Sequence, residues 1–291
     1  MAGTLWSPIC ERLGIEYPIF GFAHDVSTVA AITNAGGYGV YGATRRFPHE
    51  IEEELATIRD LVGDKPFGVD LVLPPGMPEH NSREALEAEI PTEHRDFVQG
   101  LIEKYSVPKA TEPGMRTRFI RSTEIEEAQI SAVLDSSVDM FACGIGAPAQ
   151  VIGEAKARGK TTLALIGSVH HVQRAMGAGV EMLVAQGYDA GAHTGPIGTY
   201  SLVPQIVDAA GETPVLVAGG VATGRHIAAA LAMGAQGVWM GTAWLLSEEH
   251  QGHMHPVNRR KLIEAGSGDT VITRSESGKT FRQVRTGWSQ E

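Results

Sequence analysis

The sequence predicts an α/β protein: a closed (β/α)8 barrel of the TIM type with a mostly helical insertion after its third strand. Three observations carry that expectation. Short β-rich runs alternate with alanine-rich amphipathic segments along most of the chain, the pattern of βα units around a parallel sheet. The runs number eight, which favours a closed barrel over an open doubly wound sheet. The length of 291 residues fits one such barrel better than two separate domains.

The expected strands are YPIFGF (17–22), YGVYGA (38–43), PFGVDLVLP (66–74), DMFACGIG (139–146), TTLALIGS (161–168), MLVAQG (182–187), PVLVAGG (214–220) and GVWMGT (237–242). Between them STVAAITNAGG, EIEEELATIRDLVG, PAQVIGEAKARGK, HHVQRAMGAG, TYSLVPQIVDAAG and GRHIAAALAMGA read as helices. Several end in glycine, which takes a left-handed cap at little cost. Thirty-five glycines with few aromatics suit many tight strand-to-helix turns rather than a helical bundle.

The barrel is thus expected over 1–74 and 132–291, with 75–131 inserted. That segment is rich in charge and holds the helix-like stretches TEHRDFVQGLIEKYS and STEIEEAQISAVLDSSV. An insertion after a strand emerges on the C-terminal face, where barrel enzymes build their sites, so it reads either as a lid or as a solvated decoration. Within it, Arg116, Arg118 and Arg121 of GMRTRFIR either lie in a solvated loop or meet an anionic tail such as a phosphorylated carrier.

Charge and cysteine content narrow the class. A formal net charge of −10 without clusters of Lys and Arg argues against a nucleic-acid partner. Cys10 and Cys143 are far apart and form no CxxC, so neither a disulfide framework nor a zinc knuckle is expected, and a reducing, cytoplasmic setting fits. The start MAGTLWSPICERLG lacks the pattern of a signal peptide, and no uncharged window reaches the roughly 18 residues of a membrane span. The expectation is a soluble protein acting on a small molecule. Barrels of this size commonly form homo-oligomers, but no patch in the sequence identifies a contact.

The strongest chemical signals end the seventh and eighth strands. Gly219 and Gly220 stand where a strand stops and a helix begins, and Gly241 with Thr242 repeats the arrangement. Backbone N–H groups at such turns bind phosphate, and barrels often hold phosphate between these two loops. The sixth strand runs into AQGYDAGAHTG. There Gln186 both donates and accepts, as a flat heterocycle with mixed edges requires. Gly191 and Ala192 remove bulk, leaving His193 over the mouth as a candidate base.

AQGYDAGAHTG, PVLVAGGVATGRHIAAALAMGAQGVWMGT, ITNAGGYGVYGA and KPFGVDLVLP, with the distal DTVITRSESGKTFRQVRT, resemble the nitronate monooxygenases. Flavin-dependent enoyl-acyl-carrier-protein reductases share much of the pattern. The resemblance implies FMN, held by its phosphate at Gly219, Gly220, Gly241 and Thr242 with its ring near Gln186, Gly191 and Ala192. It places His193 on the family's catalytic histidine. It also implies oxidation of alkyl nitronates by molecular oxygen, without reduced nicotinamide.

Three departures surround the expected reaction centre. FGFAHDVS replaces the usual QAPM-like segment, and the loop from Gly21 to Asp25, Gly21 and Phe22 foremost, is still expected to contact the ring through its backbone. His24 and Asp25 are new polar groups: either a substrate-directed acid–base pair, or an Asp capping the next helix beside an exposed His. Asp70 stands where the family has Asn, and Ala192 replaces a second glycine before the histidine. His170 and His171 begin a helix after the fifth strand, so His170 either touches substrate or belongs to a capped helix start. Trp239 reads as packing. His250, His253 and His255 have no cysteine partner nearby in sequence, and no metal site is expected. GxSxG and Walker A motifs are absent. Two alternatives to nitronate oxidation remain: a flavin-dependent NAD(P)H reductase or dehydrogenase of an activated C=C bond, and a non-catalytic protein binding FMN or another phosphate ligand.

Overall fold

The computed structural model describes residues 5–79, 82–112, 114, 118–250 and 254–291. Eleven strands form among them: β1 (Ile19–Ala23), β2 (Tyr38–Gly42), β3 (Phe67–Val72), β4 (Met140–Ile145), β5 (Thr161–Ile166), β6 (Met182–Gln186), β7 (Ala192–His193), β8 (Val215–Ala218), β9 (Gly237–Met240), β10 (Thr270–Thr273) and β11 (Phe281–Val284). The parallel strands β1 to β6, β8 and β9 close into a barrel in that order. The last closes on the first with Phe20 opposite Trp239. These eight match the expected strands, each to within a few residues. A separate antiparallel sheet has the order β10-β11-β7.

The helices are α1 (Pro8–Leu13), α2 (Val26–Asn34), α3 (Pro48–Val62), α4 (Arg83–Ala88), α5 (Thr92–Lys104), α6 (Thr123–Leu134), α7 (Ala149–Ala157), α8 (Val172–Gly177), α9 (Thr199–Ala210), α10 (Gly224–Ala232) and α11 (Pro256–Glu264). Among the described residues no helix is long and apolar enough to cross a membrane. Strand alternation sorts the core into two shells. Phe20, Val40, Met140, Leu163, Val184, Leu216 and Trp239 point inward and fill the barrel. Val69, Leu71, Phe141, Leu183 and Val217 point outward against the helices. Ile9 and Cys10 of α1 join the inner shell and are almost wholly buried, so the N-terminal end is plugged. The C-terminal end is left as the mouth.

α3 shows how an outer helix is written. Pro48 occupies its first turn, and the Glu50 carboxylate accepts from the Phe47 N–H at 2.7 Å. Ile51, Leu55, Ile58 and Val62 then recur at helical spacing on the buried face. α6 packs on α3, and its buried Gln129 donates to the carbonyls of Thr44 (3.1 Å) and Arg46 (2.7 Å). α4 has no buried residue and α5 only Leu101, so these two helices stand away from the barrel. The end of α5 meets the C-terminal segment, where Lys104 Nζ and Tyr105 Oη lie 2.5 and 2.7 Å from Glu291.

Leu55 is completely buried between α3 and the strands. Leu55→Ala should lower the denaturation midpoint by an amount equivalent to about 2–5 kcal/mol, with an unchanged m-value. Chemical denaturation of the two proteins measures this directly.

Candidate active site

The barrel mouth is assembled from strand ends. β6 finishes at Gln186, whose Nε2 donates to the His193 carbonyl at 2.9 Å. That bond folds the 187–192 loop back over the rim. His193 then pairs with Phe281, and Ala192 with Arg282, through β7 and β11. The imidazole Nε2 lies 2.6 Å from Ser277 Oγ, and the ring meets Phe281 edge-on at 5.1 Å and 87°. Two further ties hold the hairpin to this loop: Thr280 Oγ1 donates to the Thr194 carbonyl at 2.6 Å, and Arg282 Nε to the Tyr188 carbonyl at 2.8 Å. Ala192 sits at φ 69, a left-handed conformation that costs a residue with a Cβ on the order of 1 kcal/mol. The strained residue directly precedes the candidate base.

The two glycine turns lie on the same rim. Gly219 and Gly220 are both left-handed, at φ 107 and 73, and turn the chain from β8 toward α10. A Cβ on Gly219 would come 2.6 Å from Thr199 Oγ1 and 2.9 Å from the Ala190 nitrogen, so only glycine permits this approach. A Cβ on Gly191 would lie 2.8 Å from Thr242 Oγ1. The loop that carries His193 therefore touches the ends of both β8 and β9. Gly191, Gly219, Gly220, Gly241 and Thr242 lie at neighbouring strand ends on this rim, with His193 on the same side.

Across the mouth, Asp70 points inward from β3 and is only 4% exposed. Its Oδ2 has no hydrogen-bond partner among the described residues. Burial pushes this carboxyl up to about 7. Facing it on β4 is Gly144, where a Cβ would stand 3.0 Å from Oδ1. Phe22 stacks on Trp239 at 5.8 Å below the rim, and His24 meets Phe22 edge-on at 4.9 Å. Trp239 is thus packing, and Gly21 is buried on the outer side of β1 against Ile32 and Trp244.

His24 and Asp25 do not act as a pair. His24 is exposed, and its Nδ1 donates to the Gly42 carbonyl at 2.9 Å. Asp25 is buried and caps α2, accepting from the Thr28 N–H at 2.8 Å. Its other oxygen lies 2.5 Å from Nδ1 of His250, a buried partner 225 residues distant in sequence. His170 is exposed at a helix start capped by Ser168, and the neighbouring His171 lines the mouth instead. Of the expected insertion arginines, Arg116 lies outside the described residues. Arg118 pairs with Glu50 and lies over the Phe47 ring. Arg121 donates to the Val72 carbonyl at 2.6 Å and pairs with Glu126 at 3.1 Å. Both tie the insertion to the barrel, so neither of the two expectations for them describes what they do. His253 lies outside the described residues, while His255 Nδ1 accepts from the Val257 N–H at the start of α11. No cluster of His, Cys, Asp and Glu suited to a metal occurs among the described residues.

A cavity of about 610 Å³ opens beside His193 and Gln186, over the ends of β4 and β5. Arg174, Arg274 and Lys279 line it, and among the described residues no Asp or Glu does. His171 also lines it, and burial with the nearby Arg174 charge lowers its pKa, favouring the neutral ring. Sequence reasoning missed Ser277, Arg274 and Lys279 as site residues. The signal was present: TVIT and FRQV flank a Gly-containing turn, the pattern of a hairpin.

The nitronate monooxygenase family model matches residues 7–291. A candidate monooxygenase of Mycobacterium tuberculosis is 41% identical, over 97% of this chain and 77% of its own length. A candidate nitronate monooxygenase of Staphylococcus aureus strain Newman is 32% identical, over 97% of this chain and 79% of its own. Among solved structures, nitroalkane oxidase from Streptomyces ansochromogenes superposes with a TM-score of 0.79 at 25% identity, covering 97% of this chain and 80% of that one. FabK from Thermotoga maritima gives 0.76 at 26%, covering 99% and 77%.

The Asp70 carboxyl titrates higher in the folded chain than in the unfolded one, so the folded state binds more protons between the ordinary value of 3.8 and about 7. Its contribution to stability is complete below that window and is lost as pH rises through it. For the flavin-free protein, thermal unfolding from pH 4 to 8 should show Asp70→Asn gaining stability relative to wild type as pH rises. A constant difference across the range would contradict the assignment.

Proposed function

The chain belongs to the nitronate monooxygenase family of oxidoreductases, and from that premise we propose that it binds FMN and oxidises alkyl nitronates with molecular oxygen. The observation that carries this reading is the convergence of His193, Gly191 and the two glycine turns on one rim. The residues present fit the coenzyme. Backbone at Gly219, Gly220, Gly241 and Thr242 would hold the phosphate, in a cradle where a side chain at Gly219 or Gly191 would collide. Gln186, Gly191 and Ala192 would flank the ring, with Gly21 and Phe22 toward the barrel and the unpartnered Asp70 at its far edge. When bound, the flavin supplies an acceptor for the substrate's electron pair and a route from it to oxygen.

The chain's own residues do the remaining work. A neutral imidazole has one nitrogen free to accept a proton, so His193 takes the proton from the carbon beside the nitro group of a neutral nitroalkane, or hydrogen-bonds the anion already formed. Ser277 and Phe281 fix its ring, and the Gln186 bond to its carbonyl fixes its backbone. The 75–131 segment serves as an accessory subdomain, anchored beside the mouth by Arg118 and Arg121.

A second reading, reduction of an activated C=C bond by NAD(P)H, draws on the likeness to FabK and on the lining of Arg174, Arg274 and Lys279. Those cations suit a nicotinamide nucleotide or a phosphorylated carrier.

Purified protein should be yellow and release FMN on denaturation. His193→Ala should keep the flavin and lose about 10²–10⁴-fold in turnover of nitronate or nitroalkane; full turnover in that variant refutes the role given to His193. Anaerobic mixing separates the two reactions. Bleaching by a nitronate but not by NADH or NADPH is expected, and rapid bleaching by either nicotinamide would favour the reductase.

A further inference from the structure

Asp70 is a buried acid at the mouth whose chemistry the reaction above leaves unused. It is 4% exposed, it projects from β3 into the top of the barrel, and its Oδ2 meets no donor. A buried carboxylate ordinarily collects hydrogen bonds or a cation. Here the neighbouring strands offer none: β4 presents Gly144, which has no side chain, and β2 presents Gly42 beneath the His24 ring. No ion pair involving Asp70 occurs among the described residues.

The topology says what arrives there. In the closed order β1-β2-β3-β4-β5-β6-β8-β9, β3 and β8 stand four places apart in either direction. They are opposite walls of the mouth. A phosphorylated coenzyme anchored at Gly219 and Gly220 on β8 and laid across the opening brings the far edge of its ring over Asp70. That edge excludes the remaining water from the carboxyl, which raises the cost of ionising it. An ionised carboxylate offers only acceptors, whereas the neutral acid offers an O–H donor and an acceptor together, matching the alternating edge of a flavin ring.

We infer that Asp70 receives the ring as the neutral acid, so that flavin binding takes up one proton at this carboxyl whenever it is ionised in the free protein. This rests on the flavin reading of the site. Burial already places the group where that uptake matters, near neutral pH. Two other titratable groups adjoin it. Cys143 lies beside it on β4, its thiol pushed up by burial and by Asp70 itself, and His24 lies over Gly42.

The test is flavin release from the holoprotein on dilution, followed by the fluorescence of the freed flavin between pH 6 and 9. In wild type the Kd should rise close to tenfold per pH unit above 7, the slope of a single linked proton. In Asp70→Asn, which has a donor and an acceptor at every pH, and in Asp70→Ser, it should stay flat. Infrared spectra of the wild-type holoprotein at pH 7.5 should contain a protonated-carboxyl band that both variants lack. An equal Kd at pH 6 and 9 in wild type overturns the inference but leaves flavin binding intact. So does the wild-type slope persisting in either variant, since His24 or Cys143 would then hold the proton. A wild-type protein that holds no flavin at pH 6 overturns the functional reading and this inference with it.

Discussion

Ala192 and His193 pair with Arg282 and Phe281 across a two-residue antiparallel step, and the candidate site depends on that step more than on any other contact. A strand of two residues has no stability of its own. It persists because the β10–β11 hairpin supplies its partner and the Gln186 side chain holds its carbonyl. The pairing has three consequences at once. It fixes the imidazole against Ser277 and Phe281, it brings Arg274 and Lys279 to the cavity, and it keeps Ala192 in a left-handed conformation.

Barrel closure supplies the frame for that step. Because all eight strands are parallel, every strand-to-helix turn lies on one rim, and α1 plugs the other end. The glycines at 191 and 219 let the His193 loop settle against the ends of β8 and β9. Opposite them Asp70 occupies the wall with no partner. The mouth therefore has an anchoring side rich in backbone groups and a far side with one buried acid. A protein of net charge −10 nevertheless lines its cavity with Arg174, Arg274 and Lys279, with no carboxylate among the described lining residues. Local arrangement, and not the overall charge, sets what this mouth attracts.

The barrel was legible because strands buried on both faces read as short apolar runs, and each is punctuated by its own turn. The Gly219–Gly220 and Gly241–Thr242 turns were legible for the same reason, since they sit at strand ends. Contacts between distant segments were not. Asp25 could be seen as a helix cap from its own neighbourhood, but His250 as its partner is fixed only by the turn after β9. Arg118 and Arg121 sit in a charged stretch that looks solvated, yet their partners, Glu50 and the Val72 carbonyl, come from α3 and β3. Whether His170 or His171 faces the mouth depends on about a third of a turn at a 3-10 start, finer than residue spacing resolves.

The proposed function requires one phosphorylated flavin to span the mouth from the β8 and β9 turns to β3, beneath His193. A crystal structure of the purified protein with its coenzyme tests this most directly. Phosphate oxygens are expected within hydrogen-bond distance of backbone nitrogens at Gly219, Gly220 or Thr242, with the ring reaching both the His193 imidazole and the Asp70 carboxyl. A phosphate bound elsewhere on the rim, or a ring out of reach of His193, would contradict it.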